Sequence, residues 1–221
     1  MSLQQPARRI HVPYLVLVAL ALTAPAATAQ ADDAGVYGPA APEDAGFVRV
    51  FNGDPSEAVE LPIGPRRYGP VAFGEVTAYR PIRAGVFLLR SGGEEAEIVV
   101  RPDTYTTVLI GPGEITVISD ERHDDPARAQ LVLYNAAAEG DVDLVVLPDG
   151  PPVFRDVAAG ESRARALNAV TVELGLRTGD DVAVDLEPVD LTRGNSFAVF
   201  AVSAETGLAA RIHEARVVVD D

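Results

Sequence analysis

Along most of this chain, apolar residues recur at every second position. In VTVELGL, Val170, Val172, Leu174 and Leu176 fall on one side of an extended backbone, with Thr171, Glu173 and Gly175 on the other. That spacing predicts strands with one face on a core and one in water. Similar segments are FVRVF (47–51), AEIVV (96–100), YTTVLI (105–110), EITVI (114–118), QLVLY (130–134), DLVVL (143–147), VAVDL (182–186) and FAVFAV (197–202). Gly, Pro, Asn and Asp punctuate them as turns. Helical spacing is nearly absent; the one short cluster compatible with a helix is DPARAQ (125–130). The pattern predicts an all-β protein.

The strands form two comparable sets. The first opens with FVRVFN (47–52), passes VELPI and AFGEV, and later reads IVVRPDTYTTVLI (98–110). The second opens with QLVLYN (130–135), passes VDLVVLPDG, and later reads VDLEPVDLTRGNSFAVFAV (184–202). Each opening strand ends aromatic-Asn, at Phe51-Asn52 and Tyr134-Asn135. Asparagine suits a turn because its side chain bonds nearby backbone. The expectation is two related antiparallel β-sandwich domains, 47–119 and 129–221, joined by the linker DERHDDPAR (120–128).

What precedes the strands reads as an export signal. Arg8, Arg9 and His11 form a basic start, YLVLVALAL (14–22) a short apolar run, and Ala27-Thr28-Ala29 a small-x-small site. Residues 1–29 are therefore expected to leave as a signal peptide, cut between Ala29 and Gln30, with a Pro/Gly-rich segment at 30–46 following. The apolar run is short for a membrane span, which takes about 20 residues. A periplasmic protein without a membrane anchor is expected. Cysteine is absent, which excludes a lipid-modified cysteine and disulfides. The formal net charge is −15, and losing Arg8 and Arg9 makes it more negative. Such a field disfavours nucleic acid as a partner, and disfavours tight binding of an acidic polysaccharide except at a local arginine cluster.

Candidate chemistry is sparse. No serine sits in a G-x-S-x-G elbow, and only His123 and His213 lie beyond the leader. No catalytic, cofactor-binding or metal-binding residue is predicted, and no cofactor. DERHDD (120–125) has metal-ligand residue types, but its spacing matches neither an EF-hand nor H-E-x-x-H, so a solvated linker is the simpler reading. GDDVAVDLEPVD (179–190) is read as a solvated strand face. GPRRYGP (64–70) stands apart: Arg66, Arg67 and Tyr68, in a loop bounded by Gly-Pro pairs, are candidate contacts for an acidic partner or a uronate-rich polymer. The competing reading is an ordinary turn.

VYGPAAPEDAGFVRVFN (36–52) resembles the mature start of the AlgF family, accessory proteins of alginate O-acetylation. The likeness continues in order at RPDTYTTVLIG (101–111), AQLVLYN (129–135) and PVDLTRGNSFAVFAV (188–202). The resemblance implies a periplasmic protein of two β-sandwich domains without acetyltransferase activity of its own. It implies an adaptor for polysaccharide O-acetylation, with periplasmic SGNH-type acetyltransferases and a membrane O-acyltransferase as partners and at most weak contact with alginate. Two other function classes compete with it. One is a carbohydrate-binding module holding the polymer directly, although the chain has no Trp on which to stack sugars. The other is an acetyltransferase or esterase with a dispersed triad that uses His213.

Overall fold

The structure, a computed structural model, describes residues 41–137, 140–179 and 181–219. The predicted leader, its cleavage site at Ala29-Gln30 and Tyr37 lie outside the described residues. Every regular element within them is a strand.

The first half contains β1 (Ala45–Asn52), β2 (Val59–Ile63), β3 (Arg66–Val71), β4 (Arg80–Arg83), β5 (Gly85–Ser91), β6 (Glu94–Val100), β7 (Tyr105–Gly111) and β8 (Glu114–Asp120). One sheet runs β4-β1-β7-β8, and the hairpins β2–β3 and β5–β6 cover it. Val48, Val50, Leu61, Ile63, Leu89, Ile98 and Val108 fill the space between, as alternation along each strand requires.

The second half contains β9 (Ala129–Ala136), β10 (Val142–Val146), β11 (Pro152–Val157), β12 (Ser162–Leu167), β13 (Val170–Val172), β14 (Leu174–Thr178), β15 (Asp181–Asp185), β16 (Val189–Leu191), β17 (Ser196–Ala204) and β18 (Gly207–Glu214). Its sheets run β12-β9-β17-β18 and β11-β10-β14-β15, with the short β13–β16 pair beside them. Leu131, Leu133, Leu144, Leu174, Leu176 and Val199 make its core. VTVELGL is two strands rather than one. Before Glu173 it pairs with β16, and after it with β10 and β15. DPARAQ forms a turn leading into β9 and no helix.

The two halves repeat one topology. In each, the opening strand pairs in parallel with a late one, β1 with β7 and β9 with β17, and that late strand forms a hairpin with the next. Both sheets are therefore mixed at their centres, while their remaining pairs are antiparallel.

The aromatic-Asn endings share more than a residue type. Asn52 and Asn135 are both fully buried. The Asn52 Nδ2 donates to the carbonyls of Glu57 and Val71, and its Oδ1 accepts from the Asp54 amide. Asn135 Nδ2 donates to Gly140 and Val157, and its Oδ1 accepts from Ala137. The backbone of each asparagine also closes on a glycine-glutamate step, Gly74-Glu75 or Gly160-Glu161. Those steps belong to VAFGE (71–75) and VAAGE (157–161), a matched pair of corners. Gly74 and Gly160 both hold φ at 77°, a conformation that costs other residues roughly 1–2 kcal/mol.

Candidate functional site

The face of the β4-β1-β7-β8 sheet that points away from its own core does not meet water. In FVRVF, Val48 and Val50 turn inward to the first sandwich, so Arg49 and Phe51 must turn outward. In QLVLY and FAVFAV the same alternation sends Val132, Tyr134, Ala198, Phe200 and Val202 outward from the second sandwich. The two outward faces pack together into a third core. Phe51 stacks on Phe200 with ring centroids 4.0 Å apart, and Tyr134 stacks on Phe200 at 4.7 Å.

A polar cluster lies inside this seam. Arg49 is only 2% exposed. Its Nε donates to Thr107 Oγ1 at 2.9 Å and its Nη2 to the Tyr134 hydroxyl at 2.8 Å. The guanidinium carbon also stands 4.4 Å from the centre of the Tyr79 ring. Asp120, at the end of β8, accepts hydroxyl hydrogen bonds from Tyr134 at 2.6 Å, Thr107 at 2.6 Å and Tyr79 at 2.8 Å. Burial opposes the charge on Arg49, but the facing Tyr134 and Tyr79 hydroxyls and the Asp120 carboxylate outweigh it, so its pKa lies above its ordinary value. Burial drives the Tyr134 hydroxyl up to about 12, with Arg49 opposing and Asp120 assisting. Tyr79 is raised for the same leading reason. Two hydroxyls thus bridge a cation on one strand to an anion on another, and Tyr134 contributes one of them from the opposite sandwich.

Other contacts cross the same seam. His213 on β18 pairs its Nε2 with the Gly74 carbonyl at 2.9 Å. Beyond β18 the chain returns to the first half, where Tyr79 donates its amide to Arg216 and accepts from Val218. A cavity of about 160 Å³ opens beside this strap, lined by Tyr105, Arg122, His123, Gln130 and Asn195 among others.

The sequence candidates land differently from one another. GPRRYGP is not a loop: Arg66–Val71 is strand β3, paired with β2. Alternation on that strand buries Tyr68 in the first core at 1% exposure, so it is not on the surface as a contact residue. Arg67 stays at the surface, 3.2 Å from Glu60, and Arg66 is half-buried. DERHDD is dispersed. Asp120 joins the seam, Arg122 pairs with Asp103, His123 meets the Arg128 carbonyl at 3.0 Å, and Asp125 caps the turn at Ala127. Among the described residues, no group of three or more His, Cys, Asp or Glu side chains is placed to hold a metal. Arg49 escaped the sequence reading although its signal was present: a strand apolar on both faces leaves an arginine within it no solvent to face.

The family model described as "Alginate O-acetyl transferase AlgF" matches residues 19–198. A Pseudomonas aeruginosa protein named "Alginate biosynthesis protein AlgF" is 28% identical over 92% of this chain and 94% of its own. Its namesake in Pseudomonas syringae pv. tomato is 26% identical over 80% of each chain. A solved C-terminal domain of AlgF from P. aeruginosa is 25% identical, with a TM-score of 0.36, over 40% of this chain and 98% of that domain.

Proposed function

The chain belongs to the AlgF family, and on that premise we propose that it is a periplasmic, non-catalytic adaptor in the O-acetylation of an exopolysaccharide, alginate being the candidate its relatives' names suggest. In this reading it links a membrane O-acyltransferase to periplasmic acetyltransferases and does not itself move the acetyl group. The seam is the observation that carries it. Side chains of the types that acid–base and nucleophilic chemistry draws on are engaged at the seam: Asp120 bonds Tyr134 and His213 bonds Gly74 across it, and Tyr79 donates to Asp120 beside them. A buried, satisfied network of this kind rigidifies a fold. Rigidity suits a protein that presents surfaces to partners. The strong negative charge also favours protein partners over a polyuronate. No helix among the described residues is long and apolar enough to cross a membrane.

The test is a pull-down of the chain lacking residues 1–29 against its periplasmic acetyltransferase and, separately, against the polymer. Enzyme capture without polymer capture is expected; polymer capture alone would replace this proposal with a carbohydrate-binding module. His213→Ala separates the enzyme reading. The adaptor reading expects acetylation to survive wherever folding does, and its loss in a folded variant that still captures the enzyme would mark a catalyst.

A further inference from the structure

We propose that the flank of the second sandwich, between β11 and β12, is a docking groove for an extended acidic segment of a partner polypeptide, which seats an apolar side chain in the groove and sets carboxylates against Arg163 and Arg165. Here the sandwich is open. The sheet orders leave β11 and β12 at neighbouring edges, one from each sheet. A groove of about 420 Å³ enters between them and reaches the core, walled by Leu131, Val146, Val153, Leu167, Val172 and Leu191. Its volume falls in the range of built ligand sites, which are mostly apolar with a few placed polar groups. Arg165 and Asn168 supply those groups, and Val170 at the mouth is 49% exposed.

Three features favour an acidic strand as the occupant. The first is the edge itself. Pro152 begins β11 directly after Pro151, and proline blocks backbone pairing, whereas SRARAL in β12 contains none. An extended peptide can therefore add to β12 while its alternate side chains reach the groove. The second is charge. Arg163 and Arg165 stand on β12 opposite Leu133 and Leu131, so they share the inward-facing side of the edge. Arg163 donates to the Asp156 carbonyl, and Arg165 lies 5.9 Å from the centre of the Phe154 ring. Neither forms an ion pair with a carboxylate among the described residues, in a chain whose net charge is −15. The third feature is selection against self-association. Two copies meeting edge to edge would oppose arginine to arginine, which disfavours a second copy of this chain.

The proposal deepens the adaptor reading, on which it rests for a biological partner, but its test does not need that partner. The full chain without residues 1–29 is titrated into a fluorescein-labelled ten-residue peptide alternating Asp with Leu and Val. Two control peptides replace Asp by Lys, or Leu and Val by Ser. Binding of the first peptide alone is expected. It should be accompanied by slowed amide exchange in Ser162–Leu167, and weakened about tenfold by Arg165→Glu and by Val170→Asp. Circular dichroism confirms that each variant is folded, and the second variant keeps the test intact if the first is not. Equal binding of all three peptides, protection confined to another strand, or binding of laurate with none of the acidic peptide would each overturn the groove. If the peptide fails while the acetyltransferase is still captured, only the groove is lost. Failure of both removes the adaptor reading as well.

Discussion

Replacing Tyr134 by Phe removes one oxygen from the seam and leaves the ring. The stacking on Phe200 at 4.7 Å is kept, so apolar burial is nearly unchanged. Two hydrogen bonds to charged partners disappear, one accepted from Arg49 at 2.8 Å and one donated to Asp120 at 2.6 Å. Such bonds contribute roughly 1.5–3 kcal/mol each. Arg49 keeps Thr107, and Asp120 keeps Tyr79 and Thr107, so neither charge is left bare. The loss should lie near the lower end for two bonds, about 3 kcal/mol. With a urea slope of about 2.5 kcal/mol per molar, the midpoint should fall by about 1 M, read by circular dichroism because the chain lacks Trp. A double-mutant cycle with Arg49→Met sharpens the test. Both changes act on one bond, so their sum should exceed the double mutant's cost by about 1.5 kcal/mol or more. A midpoint shift below about 0.2 M, or strict additivity, would refute the claim that the hydroxyl bridges the two charges.

Other predictions follow from the same geometry. Asn52→Ala and Asn135→Ala each unpair three backbone groups, some buried and some part-buried, and should cost similar amounts, about 2–4 kcal/mol by urea unfolding; a large inequality would contradict the equivalence of the two corners. Gly74→Ala and Gly160→Ala share the strain of φ 77°, but a methyl at Gly74 would lie 3.1 Å from the Arg211 Cγ and one at Gly160 3.7 Å from Thr116. The melting temperature should therefore fall further for Gly74→Ala. Burial pushes the Tyr134 hydroxyl up to about 12 from an unfolded value of about 10, so its contribution is complete below pH 10 and is lost as pH rises toward 12. That loss is on the order of 3 kcal/mol, and Tyr134→Phe should flatten the decline in melting temperature above pH 10. Arg67→Ala breaks an exposed pair with Glu60 and should change stability by less than about 1 kcal/mol.

The strands were legible because alternation with period two survives wherever one face meets a core. FVRVF, YTTVLI, QLVLY and FAVFAV, buried on both faces, were legible instead as short apolar runs rich in β-branched and aromatic residues and bounded by turns. What alternation does not reveal is the material covering the other face. Arg49 in FVRVF shares its face with Phe47 and Phe51, so the strand marks that face as covered without naming the second sandwich as its cover, and Asp120 reads as linker until Tyr134 arrives from that sandwich. Tyr68 was obscured by local chemistry. Gly64-Pro65 and Gly69-Pro70 read as the ends of a loop, yet pairing between β2 and β3 runs through the arginines between them. The VAFGE and VAAGE corners carried no hydrophobic signal. Their likeness resides in backbone bonds to two asparagines, which spacing along the chain does not display. The groove beside β12 was similarly hidden, because its walls come from strands of both sheets.

The seam has a mechanical consequence. Two domains strung on a flexible connector sweep through a range of separations, and molecules attached to them meet at a rate set by the connector's length. Here the segment between β8 and β9 has little to decide, because aromatic stacking, the Arg49 and Asp120 bridges and the returning tail fix the angle between the sandwiches. Molecules seated on opposite ends of such a body are held at one spacing and one orientation, as on a ruler. Inserting residues into 121–128 should leave that spacing unchanged, whereas loosening the seam should blur it.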